Sequence, residues 1–352
     1  MSTTTLPGHG AAELPAVTID TYNAELRDAE GFVGDRASRR AFVAMVDDAR
    51  DRQRKNGDDP LGEDATDALA KKDLDKLLMD GDPHAGALVH GAVEEFAQEL
   101  AGVTRRFLRL KQWRDTQHIM VGGGLSDSRV GKLAIGRASL LLQGDGIGVV
   151  LEPIRHHPDE AGLIGAVQLA PSWMFSGHDS ILAVDIGGTN MRAGVVKLNL
   201  KQAPDLAKAE VVEGDLWRHR DDKPTREQAL ARLGDMLREL IKKADKQKLK
   251  LAPFIGVGCP GLIEADGGIR SGGQNLPGNW ESSRFNLPRS LLEMLPEVSG
   301  HDLMVVLHND AVVQGLSQLP FMQKVERWGV MTIGTGLGNA RFTNRDKAKP
   351  VK

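Results

Sequence analysis

Alternating strand and helix text predicts an α/β protein of about two domains. Short apolar runs of strand length, among them "HIMVGGG", "GVVLEPI", "SILAVDIGG" and "LMVVLHND", alternate with longer amphipathic stretches. The chain has 352 residues, enough for two domains at ~150 residues each. A strand–glycine–strand hairpin also occurs twice, at Asp185 and again at Gly334. Composition agrees with a globular chain: 41% hydrophobic and 26% charged residues leave ample material for a core.

The elements follow in order. "AVTIDTYNAELRD" is the first strand text, and "RRAFVAMVDDARDRQRK" and "KKDLDKLLMDG" are charged helices. Between those helices, "NGDDPLGEDAT" is rich in Gly, Pro and Asp and reads as an exposed loop. From Pro83, apolar residues at Leu88, Val89, Ala92, Val93, Phe96, Leu100, Val103, Phe107 and Leu110 mark one face of a long helix. Asp82 is its expected N-cap, with Pro at the first helical position. A strand ending in three glycines, a helix over residues 129–142, the strand "GVVLEPI" and the helix "DEAGLIGAVQLA" come next. "APSWMFSGHD" reads as a connector. Beyond it lie the first hairpin, a third strand in "AEVVEGDLW" and an amphipathic helix with Leu230, Leu233, Met236, Leu237 and Leu240 on one stripe. The strands "PFIGVGCPG" and "LMVVLHND", the helix "AVVQGLSQLPFMQ" and the second hairpin complete the chain.

Several function classes are disfavoured. A net charge of -3 provides no basic footprint for nucleic acid or an anionic membrane, and no basic recognition helix is recognisable. No apolar run approaches the ~20 residues that span a bilayer. The single cysteine, Cys259, cannot form an internal disulfide and fits a reducing compartment, and the first residues lack the pattern of a secretory signal. The expectation is a cytoplasmic protein that binds small molecules, with no nucleic acid and no membrane as partner and a homodimer left open. The histidines are scattered and show no zinc-ligand spacing.

Five glycine- or amide-rich stretches carry candidate chemistry. In "DIGGTN", Gly187 and Gly188 let the backbone approach a phosphate, Thr189 and Asn190 add donors, and Asp185 can hold a hydrated Mg²⁺. The same text is equally a tight hairpin turn. "GTGLG", with Gly334, Thr335, Gly336 and Gly338, carries the same two readings. "VGGGLS" places Gly122, Gly123 and Gly124 between a strand and a helix, where a helix N-terminus can face a nucleotide or the glycines can simply make a close turn. In "LHNDA", Asp310 ends a buried strand, a suitable place for a general base, while Asn309 and Asp310 together can instead cap the next helix. "QNLPGNW" either lines a polyol pocket through amides such as that of Asn275 or is a surface loop with Trp280 tucked into the core.

Taken together, "AVDIGGTNMRAGVV", "GVGCPGLIEADGGI", "QNLPGNW", "HNDAVVQG" and "TIGTGLGNARF" resemble, in family order over residues 180–344, the ROK family of sugar kinases and sugar-responsive regulators. The resemblance implies a two-domain actin-like ATPase fold, ribonuclease H-like, with an interdomain cleft. In that family the second hairpin opens the second domain, yet here it nearly closes the chain. "GDPHAGALVHGAVEEFAQELAGVTRRFLRL" and "HIMVGGGLSDS" resemble second-domain text, and "DEAGLIGAVQLA" resembles the family's C-terminal helix. The chain is therefore expected to be circularly permuted: residues 1–172 second-domain material, 180–325 the first domain, and 326–352 the first hairpin of the second. The rival is an unrelated N-terminal domain fused to a truncated kinase.

The resemblance also implies roles. ATP and Mg²⁺ are the expected cofactors and a sugar the substrate. Gly187, Gly188, Thr189 and Asn190 would hold one side of the triphosphate. Gly334, Thr335, Gly336 and Gly338 would hold the other, and Gly122, Gly123 and Gly124 would face the adenosine. Asp185 would organise the metal, Asn309 and Asn275 would contact sugar, and Asp310 would be the base. The family's Glu-x-Gly-His motif is absent beyond the second hairpin, and "LPGHG" would supply His9 in its place without the glutamate. The zinc cluster of many members is absent too. Those departures leave open a sugar- or nucleotide-sensing protein without catalysis, or a kinase for a substrate other than glucose.

Overall fold

The computed structural model describes residues 8–55 and 57–345. Its elements begin with strand β1 (Val17–Tyr22), short strands β2 (Arg27–Asp28) and β3 (Gly31–Phe32), and helices α1 (Arg39–Arg54), α2 (Lys71–Asp80) and α3 (Pro83–Leu108). Strand β4 (His118–Gly122), helix α4 (Arg129–Gly144), strand β5 (Val150–Pro153) and helix α5 (Pro158–Gly165) follow. Next are β6 (Ser180–Ile186), β7 (Met191–Lys197), β8 (Glu210–Trp217), the single turn α6 (His219–Asp222) and α7 (Arg226–Lys246). Then come β9 (Leu251–Cys259), β10 (Leu262–Ile263), β11 (Ile269–Ser271), α8 (Leu287–Met294), β12 (Glu297–Val298) and β13 (His301–Asp302). The described chain ends with β14 (Met304–Asn309), α9 (Asp310–Leu316), β15 (Arg327–Ile333) and β16 (Leu337–Asn344). No helix among the described residues is long and apolar enough to cross a membrane.

By contacts the chain divides into two compact bodies. Of the described residues, the first holds 8–23, Asp159–Glu326 and 340–345; the second holds Ala24–Pro158, apart from residue 56, and Arg327–Asn339. Residues 159–172 thus group with the 180–326 segment. The cause is α5, whose small residues let backbone meet backbone. A Cβ on Gly165 would lie 1.7 Å from the Val313 carbonyl, and one on Gly256 of β9 would lie 2.7 Å from the Ala166 carbonyl.

The first body is built on a five-stranded sheet in the order β14-β9-β6-β7-β8. Strands β14, β9 and β6 run parallel, while β7 and β8 are antiparallel. Three antiparallel strands joined to two parallel ones is the ribonuclease H-like arrangement of actin-like ATPase domains. The central strand β6 buries all seven of its residues, as continuous apolar text requires. On the sheet packs α7, started by a capping box in which Thr225 Oγ1 accepts from the Gln228 N–H and Gln228 Oε1 accepts from the Thr225 N–H. Its apolar stripe buries Leu233, Met236, Leu237 and Leu240 as the periodicity predicts, with Leu230 only partly covered.

In the second body, β15, β4 and β5 are parallel neighbours. The core beneath them comes from α3, which buries every expected residue from Leu88 to Phe107 and is capped by the Asp82 carboxylate. Burying side chains such as Phe96 and Leu100 contributes roughly 1.5–3 kcal/mol each. In the first body, β1 pairs antiparallel with β16 from Val17↔Asn344 to Tyr22↔Ala340. Strand text near the chain's start therefore lies beside the hairpin near its end.

The loop after α1 is largely exposed, as expected, with Gly57, Asp58, Gly62, Glu63, Asp64 and Ala65 at the surface. It is also anchored: Arg50 is buried and donates to Asp59 Oδ2 (2.7 Å), Thr66 Oγ1 (2.8 Å) and the Gly62 carbonyl (2.8 Å). Local composition cannot show a guanidinium that the preceding helix supplies.

Candidate active site

Three parallel strands of the first body end side by side. Register pairs Asp185 of β6 with Gly258 of β9, and Cys259 of β9 with Asn309 of β14. Carboxyl ends of parallel strands are where α/β folds place ligands, because the chain leaves the sheet there and exposes its polar groups. Two carboxylates meet at this edge. Gly258 lies between them: a Cβ there would be 3.4 Å from Asp185 Oδ1 and 3.5 Å from Asp310 Cα.

Burial raises the pKa of both acids. Asp185 is buried, which raises its pKa; Arg192 opposes that shift, and the Asp159 charge adds to it. Arg192 Nη1 reaches Asp185 Oδ2 at 3.3 Å while Nε and Nη2 hold Asp159 Oδ1 at 2.9 and 2.8 Å. Asp185 Oδ1 is buried with no partner. Asp310 follows β14 as the first residue of α9, and its Oδ1 accepts from the Ala311 N–H at 2.9 Å. Burial first, and then the Asp185 charge, push its pKa from 3.8 to about 7. Helix α5 closes the site from behind, since a Cβ on Gly162 would sit 2.5 Å from Asp185 Cγ.

Asn309 is the helix cap. Its Oδ1 accepts from the Ala311 and Val312 N–H groups (3.0 and 3.3 Å) and its Nδ2 donates to the Gly261 carbonyl at 3.1 Å. One amide hydrogen is left over for a ligand. His9 lies on the free edge of β14, where Nδ1 accepts from the Leu307 N–H at 3.1 Å. That bond puts the ring proton on Nε2, and burial lowers the pKa, so the imidazole is neutral.

The first glycine hairpin leaves this edge between β6 and β7. Its turn is closed by the Gly187 N–H donating to the Asn190 carbonyl at 2.8 Å. A Cβ on Gly188 would fall 2.8 Å from the Asn275 Cβ, so Asn275, itself exposed, packs against the hairpin. Trp280 of the same loop is buried and donates to the Pro277 carbonyl at 2.7 Å.

The other two glycine turns belong to the second body and meet each other. Gly123 has φ +89°, and a Cβ there would lie 2.2 Å from the Ile333 carbonyl at the end of β15. Gly122, Gly123 and Gly124 therefore adjoin the turn of Gly334, Thr335 and Gly336, closed by the Gly334 N–H to the Gly336 carbonyl at 2.9 Å. Gly338 lies just inside β16. The N-terminus of α4 is already occupied: Asp75 accepts from the Arg129 and Val130 N–H groups, both at 2.9 Å, and Ser128 from Gly131. The helix end that the glycine-rich turn leads into thus holds a carboxylate of the protein itself.

Among the described residues no group of three or more His, Cys, Asp or Glu forms a metal cage. Mg²⁺ takes only one or two protein carboxylates and completes its shell with water and phosphate. The unpartnered Asp185 Oδ1, with Asp310 nearby, fits that requirement.

Sequence reasoning missed Arg192, Asp159, Gly162 and Gly258. Arg192 left a signal: it is the one charge in "MRAGVV", and hairpin register sets it directly across from Asp185. The others are supplied by segments remote from β6, with no local sign of the contact.

Paired carboxylates at the ends of parallel strands make this edge the candidate site of the first body. Comparison with known proteins points to sugar kinases. The chain is 24% identical over 164 residues to the glucokinase of Thermotoga maritima, covering 47% of this chain and 44% of that protein. Among solved structures, a ROK hexokinase from Thermus thermophilus is 24% identical over 38% of this chain and 35% of its own, with a TM-score of 0.27. A Listeria monocytogenes protein described as a candidate N-acetylmannosamine kinase is 28% identical over 47% of each chain, with a TM-score of 0.33. No family model matches the sequence. The chain is thus similar to sugar kinases, a ROK member among them, and it spans less than half the length of the curated relative it matches.

Proposed function

We propose that the chain is an ATP-dependent sugar kinase in which Asp310 is the general base. The observation that carries this reading is the convergence of Asp310 and Asp185 over Gly258 at the ends of three parallel strands. Phosphoryl transfer asks mainly for positioning and charge neutralisation. A carboxylate at 310, with its pKa near 7, takes the proton of an attacking sugar hydroxyl as the bond to phosphorus forms. Asn309 fixes the start of α9, and so the direction of the Asp310 carboxylate, while its remaining amide hydrogen can meet a sugar hydroxyl. Arg192 holds Asp185 in place and offsets part of its charge. Mg²⁺ held at Asp185 would supply charge neutralisation for the transferring phosphate. The hairpin of Gly187, Gly188, Thr189 and Asn190 is assigned to the donor's phosphates, as are Gly334, Thr335, Gly336 and Gly338, with Gly122, Gly123 and Gly124 assigned to adenosine. His9 and Asn275 remain sugar-contact candidates.

The same reading takes the chain order as a circular permutation. The pairing of β4 with β15 supports it, since strands from the early and the late parts of the chain then share the second body. An ATP-consumption screen over hexoses, amino sugars and acetylated sugars tests the activity. Turnover with at least one of them is expected. Sugar binding without turnover against the whole panel would replace the kinase with a sensor.

A further inference from the structure

A four-residue turn that meets an anion must aim its carbonyls elsewhere, because a carbonyl oxygen repels phosphate as strongly as an N–H attracts it. In the turn between β6 and β7, three carbonyls have protein donors. The Asn190 carbonyl is used inside the turn by the Gly187 N–H. The Gly187 carbonyl accepts from His219 Nε2 at 2.8 Å, and the Thr189 carbonyl accepts from the Arg220 N–H at 3.2 Å. The last two donors are neighbours in one short segment after β8, and no motif in the sequence pointed to it.

That segment is built to hold still. Trp217 Nε1 donates to Asp222 Oδ2 at 2.6 Å, and the Trp217 ring meets the His219 ring edge-on at 5.9 Å. His219 is buried, and because its partner is a carbonyl its Nε2 must carry the proton. Arg220 is exposed, and among the described residues its guanidinium has no hydrogen-bond or ion-pair partner. The Gly188 N–H likewise has no acceptor among the described residues. A free cation and a free N–H therefore accompany carbonyls that are tied back.

We propose that the segment from Trp217 to Asp222 braces the donor-phosphate site: His219 is a positioning residue that turns the Gly187 carbonyl away from the anion, and Arg220 supplies a cation to the phosphates. This rests on the kinase reading. Replacement of His219 by Phe keeps a ring but removes the donor, whereas His219→Gln keeps an N–H. Exposed Arg220→Gln removes only charge. The test compares the full chain and these three variants by calorimetric Kd for ATP, by KM and kcat for the accepted sugar, and by Tm.

ATP binding should weaken about tenfold in His219→Phe and about ten- to a hundredfold in Arg220→Gln, the range for one neutral and one charged hydrogen bond. His219→Gln should stay within about threefold of the parent, and sugar KM should hardly move in any of them. Unchanged ATP affinity in both His219→Phe and Arg220→Gln, with only Tm lowered, would make the segment an ordinary structural turn. Failure of Gln to restore binding would overturn the role of His219. A parent protein that binds no ATP defeats the kinase reading and the brace together, while an ATP-binding parent with indifferent variants defeats the brace alone.

Discussion

Replacing Asp310 by Asn should make the protein slower and, at alkaline pH, more stable. The carboxyl is protonated in both folded and unfolded chains below about pH 4. Between that pH and about 7 the unfolded chain gives up the proton while the folded chain, whose pKa is pushed up to about 7, keeps it. Unfolding then releases a proton, so stability falls as pH rises through this window, and the full cost persists above 7. At about 1.4 kcal/mol per pKa unit, the change from 3.8 to about 7 sets an upper limit of about 4 kcal/mol. Partial solvent access to Asp310 reduces the figure. Asn keeps the oxygen that accepts from the Ala311 N–H but carries no charge at any pH. In metal-free buffer the Tm difference between Asn variant and parent should be near zero only below about pH 4, already in the variant's favour at pH 5, and largest, at several degrees, at pH 8. In the presence of ATP, Mg²⁺ and an accepted sugar, kcat should fall by at least about 100-fold, the lower end of what a general base contributes. A Tm difference that does not change with pH would show that this carboxyl is not buried beside Asp185. A variant nearly as fast as the parent would remove Asp310 from the chemistry.

Three other substitutions test the packing around the site. Gly188→Val drives a branched side chain toward the Asn275 Cβ, 2.8 Å from the first added carbon, and should weaken ATP binding at least about tenfold by calorimetry; undiminished affinity would take the phosphates away from this hairpin. Gly162→Ala pushes a methyl to 2.5 Å from Asp185 Cγ, so overpacking of about 1–3 kcal/mol should lower Tm and turnover together. Equal Tm and kcat would mean that α5 stands farther from Asp185. In the second body, Gly123→Ala meets both a positive φ and the Ile333 carbonyl, and a loss of at least about 1 kcal/mol is expected in a denaturant titration. A neutral result there would contradict the contact between Gly123 and the end of β15.

What the sequence by itself determined is local. The stripe on α3, the Asp82 cap, the apolar text of β6 and the glycine hairpins each depend on residues within one element, whose periodicity and turn chemistry are written in order along the chain. Asp310 could be placed at a strand end for the same reason, and Asn309 could be foreseen as a cap. Only the tertiary structure decided what those ends face. The pKa of Asp310 depends on Asp185, and Asp185 depends on Gly162 and Gly258, which other elements bring to it. Arg50 anchoring a loop that composition marked only as exposed, Asp75 occupying the α4 N-terminus, and His219 holding the Gly187 carbonyl follow the same logic. Burial, charge proximity and donor geometry are properties of neighbours in space. A linear pattern fixes which chemistry a residue carries, while the field and the partners it meets arise only when distant segments pack against it.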